Sequence, residues 1–310
     1  MHLSATQRTG RLAPSPTGAL HLGNIRTFMV AWLQMRSVGG SVRMRIEDLD
    51  HPKHKVGAEE RMLDDLQWLG FDWDGPVEIQ SKRTALYQEA LAALAPHLYP
   101  CTCSRADIQN AQSAPHPGEV LRYPGTCRTL PKDRPTPEER PPAWRYALAP
   151  SETGTFTDAF AGPQPRGAAE LSGDFVVARG EEAAYTLAVV VDDAAMQVTD
   201  VVRGDDILPA TPAQNILYDA LGLQRPAFFH VPLMVGRDGR RLAKRHGDTR
   251  IASYRAAGIT AGQILTALAR TCGWLAPNET VATLPDLLPH FSPDTIPHEA
   301  CVWDDARLAP

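Results

Sequence analysis

The sequence lacks any apolar run near the ~18 residues that a membrane-spanning helix needs, so we expect no membrane partner. Its first ten residues also lack the apolar stretch of an export signal, which predicts a cytoplasmic protein. We also expect the protein to be a monomer. A strong charge is missing too. The net charge of −5 excludes an overall basic surface for nucleic acid, so any polyanion site must be a local patch.

Cysteine is scarce, with five residues in 310, an odd number that does not suit a disulfide framework. Cys101 and Cys103 are one residue apart, a spacing that suits a metal ion better than a disulfide. Internal repeats and low-complexity tracts are absent as well. What the chain does have is 43% hydrophobic and 22% charged residues, which is typical of a globular protein with a sizeable core.

Apolar periodicity predicts strands that alternate with helices. The predicted elements are strands at 11–13 and 41–46 and helices at 22–36, 57–69, 83–95, 212–221 and 261–273. Alternation of this kind predicts an α/β fold with a parallel sheet of Rossmann type.

Proline interrupts this regularity in the middle of the chain. Eight prolines between Pro115 and Pro142 are too many for a regular helix or a central strand, so this stretch needs another source of order. Regular patterns return in three stretches, at 144–148, 175–178 and 187–191. We predict a catalytic domain in two halves, a zinc-bearing insertion between them, and a basic loop with a small helical subdomain. The corresponding ranges are 1–99 and 186–235, 100–185, and 236–310.

Two remote segments carry the chemistry. The first, residues 11–24, predicts a strand, a stiff turn with two prolines and a helix that opens beside His21. Backbone N–H groups and an imidazole at the start of a helix favour an anion. Gly23 would let a flat ring approach the backbone closely. In the alternative interpretation, His21 is a surface residue and Gly23 only relieves packing.

The second segment has four Arg or Lys among residues 240–245. Lys244 is suited to contact β- and γ-phosphates as a mobile point charge. Together the two segments could bracket a triphosphate from both sides. The alternatives are a solvated loop or a contact with a nucleic-acid backbone.

These two segments resemble the paired signatures of class I aminoacyl-tRNA synthetases. RLAPSPTG at 11–18, RIEDLD at 45–50 and VVRGDD at 201–206 are more narrowly similar to glutamyl-tRNA synthetases. This resemblance implies a Rossmann-type ligase that activates L-glutamate with ATP and Mg²⁺. The chain departs from the family pattern at three positions: Arg241 stands for Lys, Ala243 for Ser, and Asn24 for His.

The resemblance also implies a role for each matching residue. His21 and Lys244 would be catalytic. The implied glutamate-binding residues are Arg11, Leu12, Ala13, Pro14, Ser15, Glu47, Tyr185 and Arg203. The implied ATP-binding residues are His21, Gly23, Asn24, Arg241 and Lys244.

Elementary chemistry agrees with these roles. Arginine forks suit carboxylates, and each charged hydrogen bond is worth roughly 1.5–3 kcal/mol. Glu47 follows a predicted strand, where open α/β sheets place their ligands, and it can hold an ammonium group. The alternatives are that Tyr185 is a core aromatic and that Arg203 pairs structurally with Asp205 or Asp206.

Three cysteines within 27 residues, in the segment that is least able to build a core, predict a structural zinc ion. The set resembles the glutamyl-Q tRNA(Asp) synthetase branch of the family, in which Cys, Cys, Tyr and Cys hold zinc. The matching residues are Cys101, Cys103, Tyr123 and Cys127. His116 or Glu119 could replace Tyr123, and free cysteines are the remaining alternative.

The glutamyl-Q branch also implies the acceptor. Full-length glutamyl-tRNA synthetases carry an anticodon-binding region of well over a hundred residues, for which we expect no room in this chain. The implied partner is then tRNA(Asp) carrying queuosine, whose base receives the glutamate. The alternatives are a short glutamyl-tRNA synthetase that charges tRNA(Glu), and a nucleotide- or RNA-binding module without catalysis.

Overall fold

A parallel sheet at the amino-terminal end organises the structure. The computed structural model describes residues 7–16, 20–49, 57–111, 122–131, 141–240, 242 and 249–308. In this part of the chain, no helix combines the length and apolar character that crossing a membrane would require.

The α-helices of the described chain are α1 (Leu22–Arg36), α2 (Ala58–Trp68), α3 (Thr84–Leu94), α4 (Arg105–Ala111), α5 (Ala168–Leu171), α6 (Tyr185–Ala195), α7 (Thr211–Ala220), α8 (Ile251–Ala256) and α9 (Ala261–Thr271). The first strands are β1 (Thr9–Leu12), β2 (Ser41–Ile46), β3 (Val77–Ile79), β4 (Leu98–Cys101), β5 (Ala143–Tyr146), β6 (Phe156–Asp158) and β7 (Gly162–Gln164). The later strands are β8 (Val176–Arg179), β9 (Glu182–Ala183), β10 (Asp200–Gly204), β11 (Ala227–Val231), β12 (Met234–Val235) and β13 (Cys301–Val302).

The parallel strands place the site. β1 pairs with β2 and β2 with β3, while β10 pairs with β11, all in parallel. The Thr199 N–H donates to the Thr9 carbonyl oxygen at 2.8 Å, which brings β10 beside β1. The strands therefore lie in the order β3, β2, β1, β10, β11. The chain adds β2 and β3 on one side of β1 and β10 and β11 on its other side, so the order of addition reverses at β1. Open α/β sheets bind ligands at such a reversal, outside the carboxyl ends of the strands.

Helix α1 lies at the centre of the amino-terminal core. Its apolar residues are buried on several faces because it packs on β1 and β10 and also contacts α9. Arg26 is 1% exposed and ties these layers together, since it donates to Thr271 Oγ1 at 3.1 Å and to the Pro232 carbonyl at 2.8 Å. The carboxyl-terminal helices therefore share a core with the first half of the chain.

The proline-rich middle region is built on a different plan. β4, β5, β8 and β9 form an antiparallel sheet in that order, and β6 pairs with β7 as a hairpin. This sheet gives the region more regular structure than its proline content predicts. Four of the eight prolines, Pro115, Pro117, Pro135 and Pro137, lie outside the described residues.

The predicted elements are close to those observed. The helix at 22–36 is confirmed to the residue, and the other predicted helices begin or end within two residues of the prediction. The strand expected at 11–13 begins two residues earlier, at Thr9. The apolar run at 187–191, which periodicity alone left unassigned, is the buried centre of α6. The four-part division of the chain remains a prediction.

Candidate active site

A cavity of about 360 Å³ opens where β1, β2 and β10 end. Most of the residues that the sequence assigned to substrate binding line it. These are Arg11, Ala13, Pro14, Ser15, His21, Gly23, Asn24, Glu47, Tyr185 and Arg203. Leu12 does not line the cavity. Its side chain is fully buried, and it packs in the core beneath the sheet.

His21 caps helix α1 with its side chain. Its Nδ1 accepts the Asn24 backbone N–H at 3.4 Å, while Asn24 Oδ1 accepts the His21 backbone N–H at 3.3 Å. This reciprocal pair satisfies backbone donors that the helix start would otherwise leave open. When Nδ1 accepts this bond, a neutral imidazole carries its proton on Nε2, which is then the donor of the ring.

The structure gives a local reason for a glycine at position 23. A Cβ at this position would lie 3.1 Å from both Cε1 and Nδ1 of His21, which is tighter than most real contacts. The flat ring that approaches Gly23 in this structure is thus the His21 imidazole itself. Asn24, the departure from the family signature, is the residue that completes the cap.

A network of buried charges holds Glu47 and Arg11 at the cavity wall. Arg45 is fully buried and donates to Glu47 Oε1 at 2.9 Å and to Asp193 Oδ1 at 2.6 Å, with Asp192 at 3.8 Å. Burial opposes its charge, but these carboxylates outweigh burial and hold the pKa of Arg45 well above its ordinary value. Burial raises the pKa of Glu47, against the opposing charges of Arg45 and Arg11.

The Arg11 guanidinium is only partly hydrogen-bonded by described residues. Its Nη1 donates to the Val202 carbonyl oxygen at 2.9 Å. Its Nε is buried and makes no hydrogen bond with a described residue, although Asp193 Oδ1 lies 3.5 Å away. This longer ion pair holds the Arg11 guanidinium at the cavity wall, where its positive charge can attract a carboxylate.

Arg203 is 5% exposed, and the groups that bind it are neutral. Its Nε donates to His230 Nε2 at 2.9 Å, and its Nη2 donates to Thr211 Oγ1 at 2.8 Å and to Gln214 Oε1 at 2.7 Å. Among the described residues no carboxylate forms an ion pair with it, so the structural pairing with Asp205 or Asp206 is not observed. Burial accordingly lowers the pKa of Arg203.

Tyr185 opens helix α6 and is half-buried at the cavity wall rather than in a core cluster. Burial and the nearby Glu47 charge raise the pKa of its phenol. The hydroxyl therefore stays protonated and can donate a hydrogen bond into the cavity.

Residues 242 and 249, on either side of the undescribed stretch 243–248 of the basic loop, are fixed beside this cavity. The Leu242 N–H donates to the carbonyl of the cavity residue Met234 at 3.3 Å. On the other side, the Leu22 N–H donates to the Thr249 carbonyl at 3.2 Å and the Ile251 N–H donates to the Leu20 carbonyl at 2.9 Å. Arg241, Ala243 and Lys244 lie outside the described residues, so their roles stay predictions.

A second candidate site is a thiol cluster at the edge of the antiparallel sheet. The sulfur atoms of Cys101, Cys103 and Cys127 all lie within 4.8 Å of one another. Tyr123 joins them, with its hydroxyl 3.4 Å from the Cys101 sulfur. Zn–S bonds of about 2.3 Å in a tetrahedron place sulfurs roughly 3.8 Å apart, so the spacing suits zinc.

The chemistry of this donor set also fits a metal. This region has a small separate core, made mainly of Cys101, Tyr123 and Cys127. Without a bound metal, the thiol and hydroxyl groups of these three residues would be buried there mainly against one another. Burial raises the pKa of Tyr123, so a tyrosinate ligand needs the charge of the bound cation. The Arg145 guanidinium, 3.6 Å from the Tyr123 ring centroid, adds positive charge beside the ring. His116 and Glu119 lie outside the described residues.

Sequence reasoning missed the residues behind the cavity wall. His230, Asp158, Asp193 and Arg45 make the hydrogen bonds that orient the predicted binding residues. Two signals pointed to part of this set: Asp193 follows a long apolar run, and Arg45 is the first residue of the motif at 45–50. For His230 and Asp158 the sequence offers no such signal, because 72 positions separate them.

Comparison with known proteins places these sites in context. Residues 8–292 match the family model of the tRNA synthetases class I (E and Q), catalytic domain. A glutamyl-Q tRNA(Asp) synthetase of Symbiobacterium thermophilum is 47% identical, and the match covers 94% of both chains. One from Deinococcus radiodurans is 45% identical over 91% of this chain and 95% of that relative.

Solved structures agree on the fold. The glutamate–tRNA synthetase of Elizabethkingia anophelis superposes with a TM-score of 0.82 and is 24% identical. The match covers 97% of this chain and 69% of that one. A glutamate tRNA ligase of Elizabethkingia meningosepticum in complex with its amino acid gives a TM-score of 0.81 at 24% identity, covering 97% of this chain and 68% of that one.

Proposed function

The chain belongs to the class I tRNA synthetase family for glutamate and glutamine, and on that premise we propose that it activates L-glutamate with ATP and transfers the glutamyl group to queuosine in tRNA(Asp). The observation that carries this proposal is its likeness to relatives named glutamyl-Q tRNA(Asp) synthetase over nearly the full length of both chains.

The cavity supports glutamate as the amino acid. Arg203 offers a buried positive charge that forms no ion pair with a described carboxylate, and Arg11 offers a second guanidinium at the cavity wall. Glu47 supplies the negative charge for an ammonium group. A molecule with one ammonium and two carboxylates complements this set, since each buried charge then gains an opposite partner.

The proposed activation needs no protein nucleophile. The α-carboxylate of glutamate attacks the α-phosphorus of ATP, and the bond to the bridging oxygen of pyrophosphate breaks. Glutamyl-adenylate and pyrophosphate result. His21 would stabilise the phosphates by donating from Nε2, beside the positive end of the α1 dipole, where Gly23 and Asn24 also line the cavity. Mg²⁺ would accompany ATP on its phosphates.

The transfer step uses the adenylate as the activated donor. A hydroxyl of the queuosine cyclopentene ring attacks the glutamyl carbonyl carbon, and AMP leaves. This acceptor is proposed from the named relatives, since the cavity geometry alone concerns the amino acid and ATP.

We also propose one structural zinc ion on Cys101, Cys103, Tyr123 and Cys127. A bound Zn²⁺ would cross-link β4 to the turn that carries Tyr123 and Cys127, and so stabilise a region with a small core.

Lys244 is proposed as the catalytic cation of the basic loop, with Arg241 beside it. We expect Lys244→Ala to slow adenylate formation by at least about 100-fold, because a transition-state charge contact of this kind is typically worth 10²–10³ in rate. Thermal unfolding should not change. Single-turnover formation of glutamyl-adenylate measures the rate, and an unchanged rate would remove Lys244 from the mechanism.

The proposed function is tested by transfer of labelled glutamate to tRNA(Asp) with and without queuosine. We expect labelling only of the queuosine-containing tRNA, together with glutamate-dependent ATP–pyrophosphate exchange in the absence of tRNA. Labelling of tRNA(Glu) instead would indicate a glutamyl-tRNA synthetase. No exchange under any condition would leave only a binding module.

A further inference from the structure

A chain of three buried side chains leads away from the cavity. Arg203, in β10, donates from Nε to His230 Nε2 at 2.9 Å, and the two residues are direct partners in the β10–β11 register. His230 Nδ1 lies 2.6 Å from Asp158 Oδ2. His230 and Asp158 do not line the cavity, and their side chains are fully buried.

The donors fix the proton of His230. Arg203 Nε–H points at Nε2, and the Thr211 hydroxyl lies 3.3 Å from the same atom. Nε2 must therefore be an acceptor, which places the ring proton on Nδ1, where it is donated to Asp158. Burial lowers the pKa of His230 more than Asp158 raises it, so the ring is neutral at pH 7.

Asp158 is itself held in place by the backbone. Its Oδ1 accepts N–H groups of Phe160 at 2.9 Å, Ala161 at 2.8 Å and His230 at 3.2 Å. Burial opposes the charge of Asp158, but these bonds and His230 outweigh burial and lower its pKa. A rigid carboxylate thus fixes the His230 tautomer, which fixes the orientation of the Arg203 fork.

Two N–H donors of the Arg203 guanidinium make no hydrogen bond with a described residue. An arginine carries five N–H donors, and the bonds to His230, Thr211 and Gln214 use three of them. The remaining two are on Nη1, and Arg203 lines the cavity. A rotation of the guanidinium would turn Nη1 away from a bound carboxylate.

We propose that His230 and Asp158 are positioning residues that aim Arg203 at a carboxylate of the amino-acid substrate. This inference rests on the proposed function, which assigns Arg203 to glutamate. Neither residue touches substrate, so their contribution is to substrate affinity through the geometry of Arg203.

Asp158→Asn tests the pair with a change of one atom. The Asn oxygen can still accept the three backbone N–H groups, but its NH₂ group would donate to His230 Nδ1. That forces the ring proton onto Nε2, where it faces Arg203 Nε–H donor to donor. We expect the KM for glutamate in ATP–pyrophosphate exchange to rise about 10- to 100-fold, the range for one charged hydrogen bond. The KM for ATP and the kcat at saturating glutamate should change less than about 3-fold, as expected for a contact shared by ground and transition states.

The matched control is Asp174→Asn. Asp174 is also a buried carboxylate, in the antiparallel sheet region, where it accepts from Tyr99, Arg128 and the Leu148 N–H, outside the cavity. We expect it to lower thermal stability and leave the KM for glutamate unchanged. An equal rise of that KM in both variants would overturn the positioning role.

A second pair of variants covers the case in which Asp158→Asn does not fold. His230→Gln keeps an oxygen that can accept from Arg203, whereas His230→Leu does not. We expect a smaller KM rise in the Gln variant, and equal rises would contradict the proposal.

The wild-type protein is measured in the same assay. Absence of glutamate-dependent exchange in the wild type contradicts the proposed function itself. Exchange in the wild type with an unchanged KM in Asp158→Asn defeats only the positioning inference.

Discussion

Two buried arginines near the cavity differ in their partners. Arg45 binds Glu47 and Asp193, so its charge is compensated inside the protein. Arg203 binds a histidine, a threonine and a glutamine. A buried charge without a counter-charge costs several kcal/mol, and a structure that keeps one gains most from a ligand that supplies the missing charge. At the residue scale, this difference separates a structural arginine from a binding one.

Arg203→Gln should therefore damage binding without damaging the fold. We expect the KM for glutamate to rise by about 10- to 100-fold, since a charged hydrogen bond is lost. Thermal unfolding should change little, because the removal of a buried charge offsets the loss of the hydrogen bonds to His230, Thr211 and Gln214. Arg179→Gln, an exposed arginine at the end of β8, is the control that should change neither quantity. An unchanged KM in Arg203→Gln would contradict the assignment of this pocket to glutamate.

Glu47 predicts a pH dependence of glutamate binding. Only the carboxylate form can hold the substrate ammonium, and burial raises its pKa above 4.5. The KM for glutamate should therefore be flat near neutral pH and rise as the pH falls through this raised pKa. That rise begins above the pH at which the substrate side chain itself is protonated, near ~4.3. The measurement is the KM in exchange assays as a function of pH.

Glu47→Gln is the control for this profile. Its KM should be high throughout, with pH dependence only where the substrate side-chain carboxyl is protonated. If the variant and the wild type follow the same profile, Glu47 does not hold the ammonium group.

At the scale of elements, the start of helix α1 combines a structural and a chemical role in His21. The ring caps the helix through Nδ1, and Nε2 is the nitrogen proposed to donate to phosphate. His21→Asn separates the two roles, because asparagine is a good N-cap but has no imidazole. We expect this variant to unfold at the wild-type temperature while its rate of adenylate formation falls by about 100-fold.

His21→Ala completes the comparison. It should lose the rate and also about 0.5–2 kcal/mol of unfolding free energy, the usual value of a cap. Chemical denaturation and single-turnover assays measure the two effects. Wild-type rates in the Asn variant would mean that His21 is a cap alone.

The elements show what sequence can predict. Helix α1 was predictable to the residue because its apolar periodicity ends at clear stop signals. The helical state of 187–191 was not, since an apolar run buried on all sides suits a strand or a helix equally. The cavity residues carried short ordered motifs, whereas Asp158 and His230 meet only through the packing of β6 on β11. Contacts between positions so far apart depend on tertiary structure, which no local pattern records.

At the scale of the whole molecule, the proposed zinc ion should be a condition of stability. We expect about one zinc per chain by elemental analysis, in line with one structural site. Cys127→Ser should lose it and unfold at least about 5 °C earlier, since each kcal/mol shifts the transition of a protein of 150–250 residues by about 2–4 °C.

Cys301→Ser is the matched control for the metal. Cys301 is a half-buried thiol outside the cluster, so this variant should keep both its zinc and its transition temperature. Folding of the wild type without any bound metal would contradict the zinc site.

The uncompensated charge of Arg203 links the stability of the whole chain to what is dissolved around it. A ligand that binds only the folded state adds RT ln(1 + [L]/Kd) to the unfolding free energy, about 2.7 kcal/mol at 100 times Kd. Small dicarboxylates that fit the cavity would thus raise the melting temperature with no turnover at all. Melting temperatures measured with a series of such acids would show which ligand length and charge the cavity prefers. Citrate or acetate buffers would compete weakly with glutamate for the cavity and should be avoided in these assays.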